Sequence, residues 1–384
     1  MSIYIHIPFC SNICSYCDFC KFYYNEKWVN NYLNELENEI KLNYKNELID
    51  TIYIGGGTPS CLNVNQLKKL FNIISIFNLN ENIEFTIECN IDVEEEKLKL
   101  FKENNVNRIS IGVQTINEKH LKFLNRNHTK EIVLNKINLI KKYFKNVNID
   151  LMYALPNQTL EELKQDLEFY ISLDIPHIST YSLIIEPNTK LYIDNIENID
   201  EDLDYEMYKL INNTLKENNY IHYETSNYSK LGYESKHNLT YWNNLEYYGF
   251  GIGASGYINN IRYDNTRSYN NYINGKYIKE KQELTLKEKI ENEFILGFRK
   301  IKGININEFK SKYDIDLLEL KVIKKLLKEN KLVINNNYIK INDEYLYTSN
   351  NILIEFIDML NWQKLKKIVY YTCISDYVLQ IRIY

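Results

Sequence analysis

The chain has 384 residues, of which 45% are hydrophobic, so it is long enough to fold as one large domain with a smaller one. Its formal net charge of -5 at pH 7 argues against a nucleic-acid partner held by bulk electrostatics. The N-terminus lacks the basic and apolar regions of a signal peptide, and no apolar run reaches the roughly 18 residues of a transmembrane helix, so we expect a cytoplasmic protein.

Strand-like and helix-like patterns alternate over the first 220 residues. The predicted strands are Ser2–Phe9, Asp50–Ile54, Ile83–Cys89, Arg108–Gln114, Val147–Tyr153 and His177–Ile185. The predicted helices are Trp28–Tyr44, Asn65–Phe77, Val93–Asn104, Glu118–Asn125, Thr129–Phe144 and one that runs from the capping box Thr159-Leu-Glu-Glu162 to about Leu173. Six strand–helix units predict an α/β fold with a parallel sheet, and their number fits a partial (β/α)6 barrel of the TIM type.

Polar or unusual residues stand where each predicted strand ends. In chain order they are the cysteine loop, Gly55–Thr58, Glu88 with Asn90, Gln114, Asp150 with Pro156, and Glu186. Because the carboxyl ends of parallel strands open at one end of a barrel, we expect these residues to line one mouth. Gly55-Gly-Gly57 lack Cβ atoms, so this run either lets the backbone approach a ligand closely or simply makes a sharp turn.

The first predicted strand leads into a loop rich in cysteine. Cys10, Cys14 and Cys17 have the spacing C-x3-C-x2-C, which lets three thiolates converge on one metal centre. Three thiolates leave one iron of a four-iron, four-sulfide cube without a protein ligand, and that iron can take an external molecule. The alternatives are a four-thiolate zinc knuckle that includes Cys20 and a disulfide-stapled loop; with a cluster, Cys20 is a spare thiol.

The cysteine spacing resembles that of the radical S-adenosylmethionine (SAM) superfamily, in which the free iron chelates the amino and carboxylate groups of SAM. Further motifs resemble the oxygen-independent coproporphyrinogen III oxidase family, from about residue 2 to 265 and less distinctly to about 350. The motifs are Tyr4-Ile-His-Ile-Pro-Phe-Cys10, Gly55-Gly-Gly-Thr-Pro59, Ile87-Glu-Cys-Asn90, Arg108-Ile-Ser-Ile-Gly-Val-Gln114, Asp150-Leu-Met-Tyr-Ala-Leu-Pro156 and Tyr223-Glu-Thr-Ser-Asn-Tyr228.

The resemblance assigns roles residue by residue. It implies a 4Fe–4S cluster on Cys10, Cys14 and Cys17. It implies a SAM pocket made by Tyr4, Tyr16, Gly56, Gly57, Thr58, Glu88, Gln114, Arg126 and Asp150. An acidic side chain can hold ribose hydroxyls or an ammonium group, and an arginine can pair with a carboxylate. If the resemblance is left aside, the sequence favours a simpler interpretation, in which Glu88 is a charge at a strand end and Arg126 is a surface arginine.

The family has two branches of different function. The oxidase uses a 5'-deoxyadenosyl radical to start oxidative decarboxylation of porphyrinogen propionates, whereas the haem chaperone branch binds haem and hands it to acceptor haemoproteins. In three features this chain resembles the chaperone branch. Cys10 comes early in the chain, and Cys17-Asp-Phe19 stands where the oxidase has a C-x-C pair. The third feature is the HNxxYW motif, His237-Asn-Leu-Thr-Tyr-Trp242. The alternative function is that of the oxidase. A third possibility, a scaffold that has kept the fold but lost the chemistry, disagrees with the intact cysteine triad.

The resemblance implies a haem site at His237, Asn238, Tyr241 and Trp242. An imidazole can ligate iron, and aromatic rings offer flat surfaces to a porphyrin. The alternative is a histidine that caps a turn, with the tyrosine and the tryptophan in the core. Typical members have a histidine near Ala254-Ser255, where this chain has none, so the sequence identifies no second haem ligand.

The alternation of strands and helices stops after about Leu286. The predicted elements are helices over Glu291–Phe298, Ile306–Tyr313 and Leu317–Asn330, and a hairpin of Leu332–Ile334 and Tyr338–Ile341 that turns at Asn335-Asn-Asn337. This part resembles the family's small, winged-helix-like C-terminal domain, and we expect a lid or a partner surface because few basic residues are placed for a nucleic-acid groove.

These patterns divide the chain into four parts. They are a barrel (1–220), a family-specific segment with the HNxxYW motif (221–285), the C-terminal domain (286–360) and a tail (361–384). The tail has apolar and basic patches, which suit an added packing helix or transient docking on a membrane or a partner.

Overall fold

The structure, a computed structural model, describes residues 1–357. Six parallel strands lie side by side in chain order at its centre. They are β1 (Ser2–Ile7), β2 (Leu48–Gly56), β3 (Asn78–Asn90), β4 (Arg108–Gln114), β5 (Asn146–Tyr153) and β6 (His177–Ser182). Helices connect them, and the predicted parallel (β/α)6 arrangement is confirmed.

The connecting helices follow from amphipathic spacing and from capping. They are α1 (Glu26–Asn43), α2 (Val64–Ile74), α3 (Glu95–Glu103), α4 (Glu118–Phe123), α5 (Lys130–Lys141) and α6 (Leu160–Ser172). The predicted capping box is present at the start of α6: Thr159 Oγ1 accepts the Glu162 N–H at 3.2 Å, and the Glu162 carboxylate accepts the Thr159 N–H at 2.8 Å.

Side chains alternate along the six strands between two different environments. Aliphatic residues such as Ile109 are fully buried beneath the helices. The intervening residues are polar and lie in register across neighbouring strands, as in the row Glu88, Ser110, Asn148 and His177. A parallel strand that is covered on both faces is normally apolar throughout. This alternation therefore places a polar surface on the inner face of the barrel.

Further strands extend the sheet beyond both ends of the parallel set. They are β7 (Ile221–Glu224), β8 (Asn227–Ser229), β9 (Tyr247–Phe250), β10 (Ser255–Ile258), β11 (Ile261–Asn265) and β12 (Ile278–Glu283). The helices of this part are α7 (Lys190–Ile193), α8 (Glu201–Glu217), α9 (Lys236–Trp242) and α10 (Tyr269–Ile273). The order β12-β11-β10-β9-β1-β2-β3-β4-β5-β6-β8-β7 leaves the barrel open, with β9 parallel to β1 and β8 antiparallel to β6.

The last described residues surround a second hydrophobic cluster that includes Phe294, Phe309 and Phe356. Their elements are α11 (Leu286–Gly297), α12 (Ile306–Tyr313), α13 (Lys321–Lys328), β13 (Leu332–Asn335), β14 (Tyr338–Ile341) and α14 (Ser349–Ile357). A short strand, Ile304–Asn305, pairs with β14. The predicted hairpin is present, and Asn336 takes a positive φ of 53° in its turn.

The prediction of one helix over Leu317–Asn330 is wrong. Leu317–Glu319 is a separate 3₁₀ turn, because the Asp316 side chain accepts the Leu318 N–H at 3.1 Å and Leu320 has the extended dihedrals φ -66° and ψ 132°. Residues 361–384, for which we predicted a packing or docking role, lie outside the described residues. In the part of the chain that the structure describes, no helix is long and apolar enough to cross a membrane.

Glu39 of α1 ties the barrel to the added strands. Its side chain is buried, and its carboxylate accepts hydrogen bonds from the Gly251 N–H at 2.9 Å, the Asn265 amide at 2.6 Å and the Tyr272 hydroxyl at 2.5 Å. Burial raises the pKa of Glu39 to about 7. Folding at neutral pH is therefore coupled to protonation of this carboxyl group.

We predict that this coupling is visible in the stability of the apo-protein. Because the folded-state pKa of Glu39 lies above the ordinary value of 4.5, its stabilisation is full below pH 4.5 and is lost as the pH rises through about 7. Glu39→Gln removes the titration. The free energy of unfolding of the wild type, minus that of the variant, should fall by about 2 to 3 kcal/mol between about pH 5 and pH 8 in urea denaturation.

Glu37→Gln, at a partly exposed position of the same helix, is the matched control. The free energy of unfolding of the wild type, minus that of this variant, should not fall in this way between about pH 5 and pH 8. A difference between wild type and Glu39→Gln that does not change with pH contradicts the prediction.

Candidate functional site

A cavity of about 810 Å³ lies inside the barrel, between the cysteine loop at the carboxyl ends of the strands and Arg108 at the start of β4. Its wall includes every residue for which the sequence predicted a cluster, SAM or haem role: Cys10, Cys14, Cys17, Tyr4, Tyr16, Gly56, Gly57, Thr58, Glu88, Gln114, Arg126, Asp150, His237, Asn238, Tyr241 and Trp242. Asn90 and Glu186, which also follow strands, line the same cavity. The fold therefore brings the two predicted sites to one space, although they are far apart in the sequence.

Two thiols of the cysteine loop have polar partners from other parts of the chain. The Thr58 hydroxyl donates to Cys10 Sγ at 3.6 Å, and Arg126 Nη1 donates to Cys14 Sγ at 3.4 Å. Burial raises the pKa of Cys10 to about 11 and that of Cys17 to about 12. A bound metal reverses this effect because its positive charge stabilises the thiolate. The loop thus places Cys10 and Cys17 where a bound cation would favour their ionisation.

Cys20 is oriented differently from the other three cysteines of the loop. Its buried thiol donates to the Arg267 carbonyl at 3.7 Å and is not part of the cavity wall. Within residues 1–357, no group of three or more His, Cys, Asp or Glu side chains is arranged to hold a single metal ion. Three cysteine thiols around one space are a donor set that fits a multi-iron cluster, in which each cysteine binds a different iron.

The glycine run passes close to the cysteine loop. Gly56 has φ +113°, and a Cβ atom there would lie 2.6 Å from the ring of His6. A Cβ atom on Gly57 would lie 2.7 Å from the Phe9 carbonyl oxygen and 3.0 Å from Cys10 Sγ. Only glycine fits these two positions, so the backbone itself forms this part of the cavity wall.

Two acidic side chains on neighbouring strands carry raised pKa values. Glu88 accepts hydrogen bonds from the Tyr53 hydroxyl at 2.8 Å and the Gly56 N–H at 3.0 Å. Burial, with a contribution from the charge of Asp150, raises the pKa of Glu88 to about 7. Asp150 accepts from the Asn148 amide at 2.8 Å, and burial raises its pKa to about 6. A cationic ligand beside this pair would stabilise both carboxylates.

Arg126 and Gln114 add hydrogen-bonding groups that have no protein partner. Besides its contact with Cys14, the guanidinium group of Arg126 donates to the Gly112 carbonyl, so Arg126 is not a solvent-facing surface arginine. Arg126 Nε and Gln114 Oε1 are buried and lack a partner among the residues described. Gln114 also has a positive φ of 75°. Unsatisfied polar atoms in a cavity wall are suited to a polar ligand.

Helix α9, which carries the HNxxYW motif, is fixed to the barrel by its first residues. The Glu84 carboxylate on β3 accepts the N–H groups of Lys236 at 3.0 Å and His237 at 2.9 Å. A negative charge at a helix N-terminus is favourable. Burial, with a smaller effect of the Arg108 charge, lowers the pKa of His237 to about 3, so its imidazole is neutral at physiological pH.

A chain of hydrogen bonds fixes the tautomer of His237. Thr51 Oγ1 lies 2.7 Å from His237 Nδ1 and donates its proton to Ser2 Oγ at 2.8 Å. Since the threonine hydroxyl has one proton, Nδ1 must donate to Thr51, and Nε2 carries the lone pair. His237 Nε2 lies 2.8 Å from the Tyr241 hydroxyl, which donates to it.

Aromatic rings surround His237. The ring of Tyr53 is 5.3 Å away at an angle of 30°, and that of Tyr241 is 5.0 Å away in an edge contact. These contacts match the alternative of a core histidine, whereas its place in the cavity wall matches a ligand-binding role. Ligation of iron at Nε2 requires the Tyr241 hydroxyl to release this nitrogen.

Several residues that shape the site were not predicted. Thr51, Tyr53 and Glu84 lie on the inner face of the barrel, where polar residues alternate with Ile52, Ile54 and Phe85. This alternation, which is visible in the sequence, could have identified the three residues as inward-facing. Arg108 also lines the cavity and starts the strand β4. Arg299, another cavity residue, follows α11 and had no motif or periodicity that marked it.

Comparisons with known proteins agree with this arrangement. Residues 4–170 match the radical SAM superfamily, and residues 284–344 match the HemN C-terminal domain. A Lactococcus lactis protein named "Heme chaperone HemW" is 40% identical over 93% of this chain and 97% of its own length. A Bacillus subtilis protein of the same name is 41% identical over 81% of this chain and 86% of its own length.

A solved structure shows the same fold. Coproporphyrinogen III oxidase (HemN) from Escherichia coli, described as a radical SAM enzyme, superposes with a TM-score of 0.82 over 94% of this chain and 90% of that chain. Their sequences are 21% identical, so this likeness concerns the fold alone. The two relatives above show that the chain belongs to the HemW family of the radical SAM superfamily.

Proposed function

We propose that the chain is a haem chaperone, which binds a 4Fe–4S cluster, SAM and haem and transfers haem to acceptor haemoproteins. The observation that carries the proposal is the shared cavity, whose wall includes both the cysteine triad and the motif His237–Trp242. The names of the L. lactis and B. subtilis relatives support it.

In this proposal Cys10, Cys14 and Cys17 hold the cluster, and Cys20 stays a free thiol. Cluster and SAM together supply one-electron chemistry when both are bound. The backbone at Gly56 and Gly57 packs directly against His6, Phe9 and Cys10 because Cβ atoms are missing, and it forms a wall that SAM would contact beside the cluster. Glu88 and Asp150 offer carboxylates to cationic or hydroxyl groups of SAM.

Haem is bound in this proposal through His237 Nε2. Burial keeps the imidazole neutral, and the hydrogen bond of Nδ1 to Thr51 orients it, as partners of metal-bound histidines generally do. The Tyr241 hydroxyl leaves Nε2 when iron binds. Tyr241, Trp242 and Asn238 then line the space beside the porphyrin.

We also propose that the protein works in the cytoplasm, where reducing conditions preserve thiolate ligands. Within it, residues 1–220, 221–285 and 286–360 are separate functional units. The second hydrophobic cluster around Phe294 supports a distinct C-terminal unit. Helix α11 of this unit contacts α9, which makes the unit a candidate lid or acceptor surface for the haem motif.

We predict that anaerobic reconstitution with iron and sulfide gives about four iron atoms per chain and broad charge-transfer absorbance. Cys10→Ser, Cys14→Ser and Cys17→Ser should each lose most of this absorbance because one iron loses its thiolate. Cys20→Ser and Cys61→Ser are the matched controls and should retain it, since neither thiol lines the cavity. Loss of metal in Cys20→Ser, or bound zinc in place of iron, would falsify this assignment.

A second prediction separates the chaperone from the oxidase. The reconstituted protein, given SAM, a reductant and coproporphyrinogen III without oxygen, should form no decarboxylated porphyrinogen. The same preparation, loaded with haem, should transfer haem to an apo-haemoprotein, as followed by the absorbance of the acceptor. Formation of vinyl groups on the porphyrinogen, detected by mass spectrometry, contradicts the chaperone assignment.

A third prediction concerns the iron ligand. His237→Ala should lower haem affinity by roughly tenfold or more and remove the optical signature of imidazole-bound haem, because the proposed ligand is lost. His222→Ala is the matched control: His222 also has a pKa lowered by burial, to about 4, but it is not in the cavity wall. Equal haem affinity in His237→Ala and the wild type removes His237 from the proposal.

A further inference from the structure

Arg299 is fixed at the edge of the cavity by its backbone. It follows α11 in the chain, and its carbonyl oxygen accepts hydrogen bonds from the Thr225 N–H at 3.0 Å and the Thr225 hydroxyl at 3.2 Å. Its side chain lines the cavity, yet the residue is only 5% exposed. The position of this guanidinium group is therefore set by the end of the sheet, where β7 turns into β8.

Two N–H groups of the Arg299 guanidinium lack a hydrogen-bond partner among the described residues. It lies over the ring of Trp242, 5.5 Å from the centroid, which leaves its N–H edge for other contacts. Arg299 Nε and Nη2 are buried and have no hydrogen-bond partner within residues 1–357. No ion pair of Arg299 is formed there either. Buried donors without acceptors are costly, and a buried unpaired charge more so.

The nearest acidic group does not fill this role. Glu224 on β7 is buried and accepts a hydrogen bond from the Asn227 amide instead. Burial raises the pKa of Glu224 to about 7, so at neutral pH a sizeable fraction of it is uncharged. Burial lowers the pKa of Arg299 only to about 10, so Arg299 keeps its charge. The charges of Glu224 and Arg299 act on each other, but Nε and Nη2 of Arg299 still have no hydrogen-bond acceptor within residues 1–357.

Arg108, the other deeply buried arginine of the cavity wall, differs in this respect. It is 2% exposed and its Nε also lacks a partner in the described chain. However, its charge acts on two carboxyl groups, those of Glu88 and Asp150, whereas the charge of Arg299 acts on that of Glu224. Arg299, with fewer acidic neighbours and two N–H groups without a partner in the described chain, is therefore the better candidate to bind an anionic ligand.

We propose that Arg299 is a carboxylate-binding residue of the cavity, and that its ligand is a propionate group of haem. The inference rests on the proposed function, because it takes haem as the occupant. A guanidinium group presents two parallel N–H donors that match a carboxylate, and Arg299 offers Nε and Nη2 in this arrangement. Since Trp242 belongs to the same helix as His237, such a contact orients the porphyrin relative to the proposed iron ligand.

The test compares haem with haem dimethyl ester, in which both propionates are masked. Anaerobic optical titration of the reconstituted full chain should show that Arg299→Gln lowers affinity for haem by roughly tenfold or more. Affinity for the dimethyl ester should be the same in the variant and the wild type, because the interacting group is already missing. The haem affinity of Arg299→Lys should lie between those of Arg299→Gln and the wild type, since lysine keeps the charge but loses the paired donors.

Arg262→Gln is the matched control. Arg262 also lies over an aromatic ring, that of Tyr257 at 5.2 Å, and has a buried Nε, but it is not in the cavity wall. It should bind haem as the wild type does. Cluster absorbance equal to that of the wild type shows that the Arg299 variants are folded.

The outcomes separate the inference from the proposed function. Equal haem affinity in Arg299→Gln and a haem-binding wild type overturns the role of Arg299 alone. The same follows if the variant loses SAM affinity and keeps haem affinity, because the carboxylate is then that of SAM. A wild type that binds no haem overturns the proposed function together with this inference.

Discussion

The structure depends on the alternation of aliphatic and polar side chains along six parallel strands that pair in register. Parallel pairing keeps equivalent positions side by side, so isoleucines form one continuous face beneath the helices and polar residues form rows inside the barrel. A shift of one residue in any strand would put charges beneath the helices and isoleucines into the cavity. Burial of the outer face therefore fixes the inner, functional face as well.

A polar interior brings titratable groups out of water, and most of them respond by favouring their neutral forms. Glu88, Asp150 and Glu224 have raised pKa values, and His237 has a lowered one. Arg299 cannot neutralise itself in this way because its pKa stays near 10. The cavity wall thus combines carboxyl groups with raised pKa values and arginine side chains, among them Arg126 and Arg299. Charged ligands would complete this electrostatic pattern.

The segment after the barrel is bound to the same strands that carry the proposed SAM pocket. Strand β9 pairs with β1, Glu39 of α1 binds Gly251, and Thr51 of β2 binds His237. Because these contacts are buried and polar, they specify position as well as adding stability. The HNxxYW helix is consequently held in one place relative to the glycine run and the cysteine loop. This common framework lets one cavity serve both groups of residues.

The sequence by itself determined the six strands, most of the helices, the Thr159–Glu162 capping box, the cysteine spacing and the HNxxYW motif, since each is a pattern among neighbouring residues. It did not show that β9 joins β1, that Leu320 separates a 3₁₀ turn from α13, that Thr51 and Glu84 bind α9, or that Arg299 lines the cavity. Thr51 lies 186 positions from His237, and no local pattern encodes a contact over that distance. Such contacts exist only after the sheet has formed, because burial of the aliphatic face decides which distant polar groups must satisfy one another.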